Sequence, residues 1–257
     1  MRSRKISPRH IADQIRRLLK DGGSTEHSAG VQWFFKEEIK SHGWYTAALR
    51  KAAVQFRRRI ASEHGMDFVV QVANQLFSGR NLEEKVFAVF LLENQTKNFG
   101  DKEFRLFTSW LDRVSSWADH DALVHDVLAP MIAADPSRSH EVFQWAKSAN
   151  RWRRRAACVA LIRGTREKKF FSQIVRLSNQ LLRIHEEGNK KDEDDKNKND
   201  KEDMVLKGLG WLLRETAKAN PARTVPYLMK IRKNAPRLVL RTACETLSAA
   251  QRWQVLK

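Results

Sequence analysis

The sequence predicts an all-α fold, a HEAT-like solenoid built from antiparallel helix pairs. Three observations carry this expectation. Glycine and proline are scarce, at 11 and 6 of 257 residues, while Leu, Ala, Arg, Lys and Glu dominate, a composition that favours helix. Alternating Val/Ile/Thr runs bounded by turn residues are nearly absent, so little or no sheet is expected. Helical segments of one pattern also recur along the chain at a near-constant step.

Four segments share small or apolar residues at helical spacing: EEKVFAVFLL around Val86, RRRAACVALI around Arg155, VLKGLGWLLRE around Lys207 and LVLRTACETL around Arg241. WADHDALVHDVL, around Asp121, fits the register more loosely. From 86 to 121, 155, 207 and 241 the steps are 35, 34, 52 and 34 residues. Repeats of about 34 residues suit stacked helix pairs, because one pair cannot bury its apolar face alone. The small residues Ala156, Ala157, Gly208, Gly210 and Ala243 allow close approach of neighbouring helices. Glycines inside a helix cost about 1 kcal/mol each, and tight packing is the expected compensation.

The long step exceeds its neighbours by 18 residues, the length of Glu186–Asp203. That run has no apolar residue, with 9 acids and 5 bases, and is expected to be a mobile charged insertion within one domain spanning 1–257. The chain carries 48 basic and 30 acidic residues, a net charge of +18. Outside the insertion the balance is 43 against 21, or +22. A folded body so basic repels itself and points to a polyanionic partner.

Cys158 and Cys244 lie inside apolar helical runs, which argues for buried small hydrophobes rather than a disulfide or zinc site. The N-terminal stretch lacks an apolar signal region and no stretch approaches membrane-spanning length. A monomer in the cytoplasm, associated with the nucleoid and not with a membrane, is the expectation.

The chemistry-bearing side chains sit in corresponding parts of successive units. Trp117 and Asp121 are i and i+4, so they project from one side of a helix. An indole beside a carboxylate suits a cationic ligand; the alternative is a core tryptophan with an aspartate capping the helix. Trp110 and Val114 read as packing residues. Trp152 is followed by Arg153, Arg154 and Arg155, whose planar forks fit phosphate oxygens, against the plainer reading of a solvated face. Trp211 and Arg214 are three apart after two glycines, so the indole either walls a pocket or fills the space glycine leaves. His120 and His125, five apart, lie about 140° around an α-helix and do not form a metal pair of the HExxH kind. No GxSxG, P-loop, GxGxxG or zinc-deaminase signature occurs. No metal and no cofactor are expected, and any chemistry must run on aromatics, a carboxylate and arginines.

Taken together, residues 34–53, EEKVFAVFLLE (83–93), WADHD (117–121), SANRWRRRAA (148–157), LKGLGWLLRETAKANP (206–221) and LVLRTACETL (238–247) resemble the AlkD-type HEAT-repeat DNA alkylation-repair glycosylases. They cover most of the chain in that family's order. The resemblance implies a curved superhelix whose basic concave face holds duplex DNA, and release of N3- and N7-alkylated purines without metal or cofactor. Asp121 matches the family's catalytic aspartate, Trp117 and Trp211 its pocket tryptophans, and Arg154 (Arg155 less closely) its pocket arginine. Arg214 matches a groove arginine, and Lys51, Lys207 and Arg241 complete the expected DNA contacts. Ala118, Arg153 and the insertion depart from the family pattern and bear on substrate preference. Two other readings stand beside this one: a non-catalytic binder of damaged or branched DNA on the same scaffold, and a helical scaffold for an acidic protein.

Overall fold

The computed structural model describes residues 6–183 and 202–257, and among them every regular element is helical. The charged run expected at 186–203 lies outside the described residues except for Glu202 and Asp203. The chain divides into two compact units, one ending at Val127 and one beginning at Leu128. Among the described residues no helix is long and apolar enough to cross a membrane.

The first unit contains α1 (Pro8–Asp21), α2 (Thr25–Gln32), α3 (Thr46–His64), α4 (Met66–Phe77), α5 (Leu82–Leu92), α6 (Asp101–Ser109) and α7 (Trp117–Leu123). Local chemistry sets the boundaries. Ser7, Ser24 and Asn81 accept backbone N–H bonds at the starts of α1, α2 and α5, satisfying donors that the helix itself leaves orphaned. Gly65, at φ 81°, turns the chain between α3 and α4, a left-handed conformation that costs glycine little. Helix α5 packs against α3, α4 and α7. Its buried residues follow one another from Phe87 to Leu92, as a helix enclosed on all sides requires.

In the second unit lie α8 (Ala129–Ala134), α9 (Glu141–Trp145), α10 (Arg151–Val159), α11 (Ile162–Thr165), α12 (Phe171–Leu181), α13 (Asp203–Ala219), α14 (Pro221–Ile231), α15 (Arg237–Ala243) and α16 (Ala249–Leu256). Helices α10, α13 and α15 pack in series, with α9 against α10 and α14 against α13. The repeat register is therefore physical. Val86, Asp121, Arg155, Lys207 and Arg241 fall on α5, α7, α10, α13 and α15, and α5–α7 and α10–α13–α15 are packed neighbours within their units. Helix pairs recurring in this way are the all-α repeat fold expected from the sequence.

The glycines of α13 explain how closely this layer packs. A Cβ on Gly208 would sit 3.2 Å from Cγ of Arg155 on α10, and one on Gly210 would sit 2.8 Å from Cβ of Thr242 on α15. The second distance is too short for any side chain, so contact with α15 requires glycine. Both cysteines are buried, and burial pushes the Cys244 thiol up from its ordinary value, consistent with an inert core thiol.

Tyr227 of α14 is buried and donates to Oδ1 of Asn179 at 2.9 Å. Burial disfavours its charged form and pushes its pKa to about 12. Because the unfolded phenol ionises near 10, the stability it contributes is complete below pH 10 and is lost as pH rises through 12. Urea unfolding should show roughly 2–3 kcal/mol lost across that window, and Tyr227→Phe should flatten the alkaline loss.

Candidate active site

Helix α7 is the best-anchored element near the candidate chemistry. Ser116 is its N-cap, and Asp119 closes a capping box by accepting from Ser116 N at 2.7 Å. Oδ2 of Asp119 accepts from Ser115 N at 2.9 Å and from Nζ of Lys85, on α5, at 3.2 Å. Lys85 also donates to the Arg113 carbonyl and to Oγ of Ser115. Both charged groups are buried, Asp119 completely, and an interior ion pair is tolerable only when hydrogen bonds complete it, as they do here. The cap is thus Ser116 with Asp119, and Asp121 is not part of it. The alternative reading of Asp121 as a helix cap is excluded.

Trp117 opens α7 and is half-buried. Its Nε1–H donates to the Phe34 carbonyl at 3.3 Å, and its ring stacks on Phe35 with centroids 5.0 Å apart. One turn on, Asp121 keeps 20 % of its side chain exposed, and its Oδ1 lies 2.6 Å from Nδ1 of the fully buried His120. Trp110 is completely buried and donates to Oδ1 of Asn74 at 2.9 Å, the packing role expected of it.

A cavity of about 420 Å³ opens beside Trp117, lined also by Phe34, Phe35, Trp44, Phe90, Arg50 and Asp126. Buried Glu83 shapes its rim by accepting from Oγ of Ser41 at 2.6 Å and from the backbone N–H of His42 and Gly43 at 2.9 Å each. Arg50 bonds Glu93 at 2.9 Å, lies 3.9 Å from Asp126, and stacks on Phe90. Sequence reasoning missed these wall residues. Phe34, Phe35 and Trp44 stand in the family-like stretch 34–53, where no role is assigned to them individually. Asp126 follows His125, in a stretch where sequence reasoning weighs only the two histidines, as a metal pair, and gives Asp126 no role. Residues Val124–Leu128 form a π-helix, whose wider turn makes an α-helical angle inapplicable across the segment.

In the second unit the predicted residues fall on the packed series α10, α13 and α15. Arg154 is half-buried, and its Nη1 donates to the carbonyls of Ser148 and Ala149 at 2.8 Å each. Arg155 is only 6 % exposed and donates to the Met204 carbonyl at 2.7 Å. Buried against Gly208, it packs α10 on α13, which sets it apart from the exposed cations among the residues expected to meet DNA. Trp211 is half-buried on α13. Arg214 bonds Glu245 at 2.9 Å and Glu215 at 3.1 Å, and these carboxylates, Glu245 first, raise its pKa further. Lys207 pairs with Asp203 at 2.8 Å and stays largely exposed. Arg241 and Lys51 are exposed, on α15 and α3. Among the described residues no group of three or more His, Cys, Asp or Glu could hold a metal ion.

Fold and site together define a helical-repeat protein, strongly basic, with an indole and, one helical turn on, a partly exposed carboxylate on an anchored helix, the carboxylate standing outside the residues that line the cavity beside Trp117. Its sequence matches the model of the family described as DNA alkylation repair enzyme over residues 15–247, and the chain belongs to that family. Its fold is similar to a solved structure described as a predicted DNA alkylation repair enzyme from Enterococcus faecalis, with a TM-score of 0.73. That match covers 88 % of this chain and 97 % of the other at 16 % identity. No curated protein matched the sequence.

The buried pair on which α7 rests gives a direct test. Lys85→Met and Asp119→Ala should each cost about 3–5 kcal/mol in urea unfolding, since each strands a buried charge. The Lys85→Met/Asp119→Ala double variant should lose clearly less than the sum. Additive losses would show that the two groups are not coupled.

Proposed function

We propose that the protein is a monofunctional DNA glycosylase that hydrolyses the N-glycosidic bond of N3- and N7-alkylated purines in duplex DNA, acting as a monomer. The observation that carries this reading is Asp121, a partly exposed carboxylate one helical turn from Trp117 in a chain of the DNA alkylation repair family.

Alkylation at N3 or N7 makes the purine cationic, so the bond from C1′ to the base is already weakened. When it breaks, the electron pair leaves with the base, which departs neutral and needs no proton from the protein. The chemistry therefore asks for no general acid, metal or cofactor. Positive charge develops on the deoxyribose, and the Asp121 carboxylate stabilises it electrostatically while orienting the water that adds to C1′. That water then gives up its proton to the carboxylate or to solvent. The Trp117 ring adds cation–π attraction, about 1–2 kcal/mol where water is excluded.

The second unit supplies further DNA contacts in this reading. Trp211 packs on a sugar or base, and Arg154, Arg214, Lys207 and Arg241 meet phosphates, as Lys51 does from the first unit. Arg241 and Lys51 carry the most weight because they are exposed. Arg214 carries less, since two carboxylates already share its guanidinium.

Incubation with methylated duplex DNA, with the released bases identified, tests the reading. Asp121→Asn should lower 7-methylguanine release by about 10²–10³-fold while leaving fold and DNA affinity nearly unchanged. Equal release by wild type and variant removes Asp121 from the mechanism. In salt titrations of duplex binding, Arg241→Ala should reduce the log–log slope by about one, whereas Arg155→Ala should lower stability and leave that slope unchanged.

A further inference from the structure

We propose that His120 is a positioning residue for Asp121, an inference that rests on the glycosylase reading. Position 120 is fully buried, on the inner side of α7, while Asp121 reaches the surface. Packing alone would be served there by an aliphatic side chain, and burying an imidazole costs free energy unless its ring nitrogens are bonded. The 2.6 Å separation between His120 Nδ1 and Asp121 Oδ1 is that of a charge-assisted hydrogen bond. With the proton on Nδ1, the ring donates and the carboxylate accepts.

The consequence is orientation. A carboxylate that reaches the surface has more than one χ1 well open to it, and only the one facing the developing sugar cation contributes to catalysis. A bond from a fully buried ring favours that well before substrate arrives, which is preorganisation from beneath the reacting group. His120 is completely enclosed, and the turn of α7 that carries it is tied down beside it by the bonds of Asp119 to Lys85, Ser115 and Ser116. The rigidity of the α5–α7 contact therefore passes through Asp119 and His120 to the one carboxylate the chemistry uses.

The test compares His120→Phe, which keeps a ring without the donor, with His120→Asn, whose amide N–H lies close to where Nδ1–H does. Single-turnover release of 7-methylguanine and Kd for the same methylated duplex are measured for both, for His120→Leu, for Asp121→Asn and for wild type. His120→Phe should slow release about 10–100-fold with Kd within about threefold, and His120→Asn should recover most of the rate. If Phe does not fold at this site, His120→Leu provides the same comparison. A wild-type rate in the donorless variants overturns the proposal, and so does His120→Asn as slow as they are, which marks 120 as a packing position. Release by wild type that is lost in Asp121→Asn but intact in His120→Phe overturns only this inference. No release by wild type overturns the glycosylase reading and this inference with it.

Discussion

The buried charge pair between Lys85 and Asp119 is the constraint on which the candidate site depends. Asp119 is completely enclosed, and a carboxylate there persists only with a counter-charge and enough donors to replace water. Lys85 supplies the charge from α5, while Ser115 and Ser116 supply donors from the start of α7. Moving α7 against α5 would break several of these bonds together, in an interior where each is expensive to lose. The position of α7, and so the direction in which Trp117 and Asp121 leave it, follows from this pair rather than from the modest helix propensity of WADHDAL.

The second unit solves a similar problem with an arginine and two glycines. Arg155 spends its guanidinium on the Met204 carbonyl, and its stem lies across Gly208, so α10 and α13 approach closely. Gly210 does the same for α13 and α15 through Thr242. The propensity cost of two glycines in one helix is offset by contacts that no larger residue permits. Charge in a repeat protein thus serves two ends. Some of it faces solvent and is available to a polyanion, and some is taken up by the protein's own oxygens.

That division matters for DNA recognition. A net charge of +18 draws the chain toward nucleic acid whichever residues carry it. Which residues touch phosphate depends on what else they hold. Arg154 donates to two backbone carbonyls and Arg214 to two carboxylates, whereas Arg241 and Lys51 are exposed. An arginine already ordered by its neighbours loses less entropy on meeting a phosphate but also gains less from it.

Much of this was legible in the residues themselves. Period and composition give an all-α repeat protein, because the burial pattern of a helix is written at fixed spacing along one segment. The charge balance and the elements around Trp117, Asp121, Arg154 and Trp211 give the family for the same reason, each being local. Contacts between segments were not legible. Burial of Arg155 depends on Met204 and Gly208 of α13, 49 and 53 residues further on, and the wall of Phe34, Phe35 and Trp44 beside Trp117 joins residues more than 70 positions apart. The π-turn at Val124–Leu128 shifts angles that an ideal helix predicts. Three neighbouring residues of identical charge, or two histidines of identical type, have the same chemistry on paper. Only the packed chain decides which meets water and which meets a carbonyl, because burial belongs to the surroundings and not to the residue.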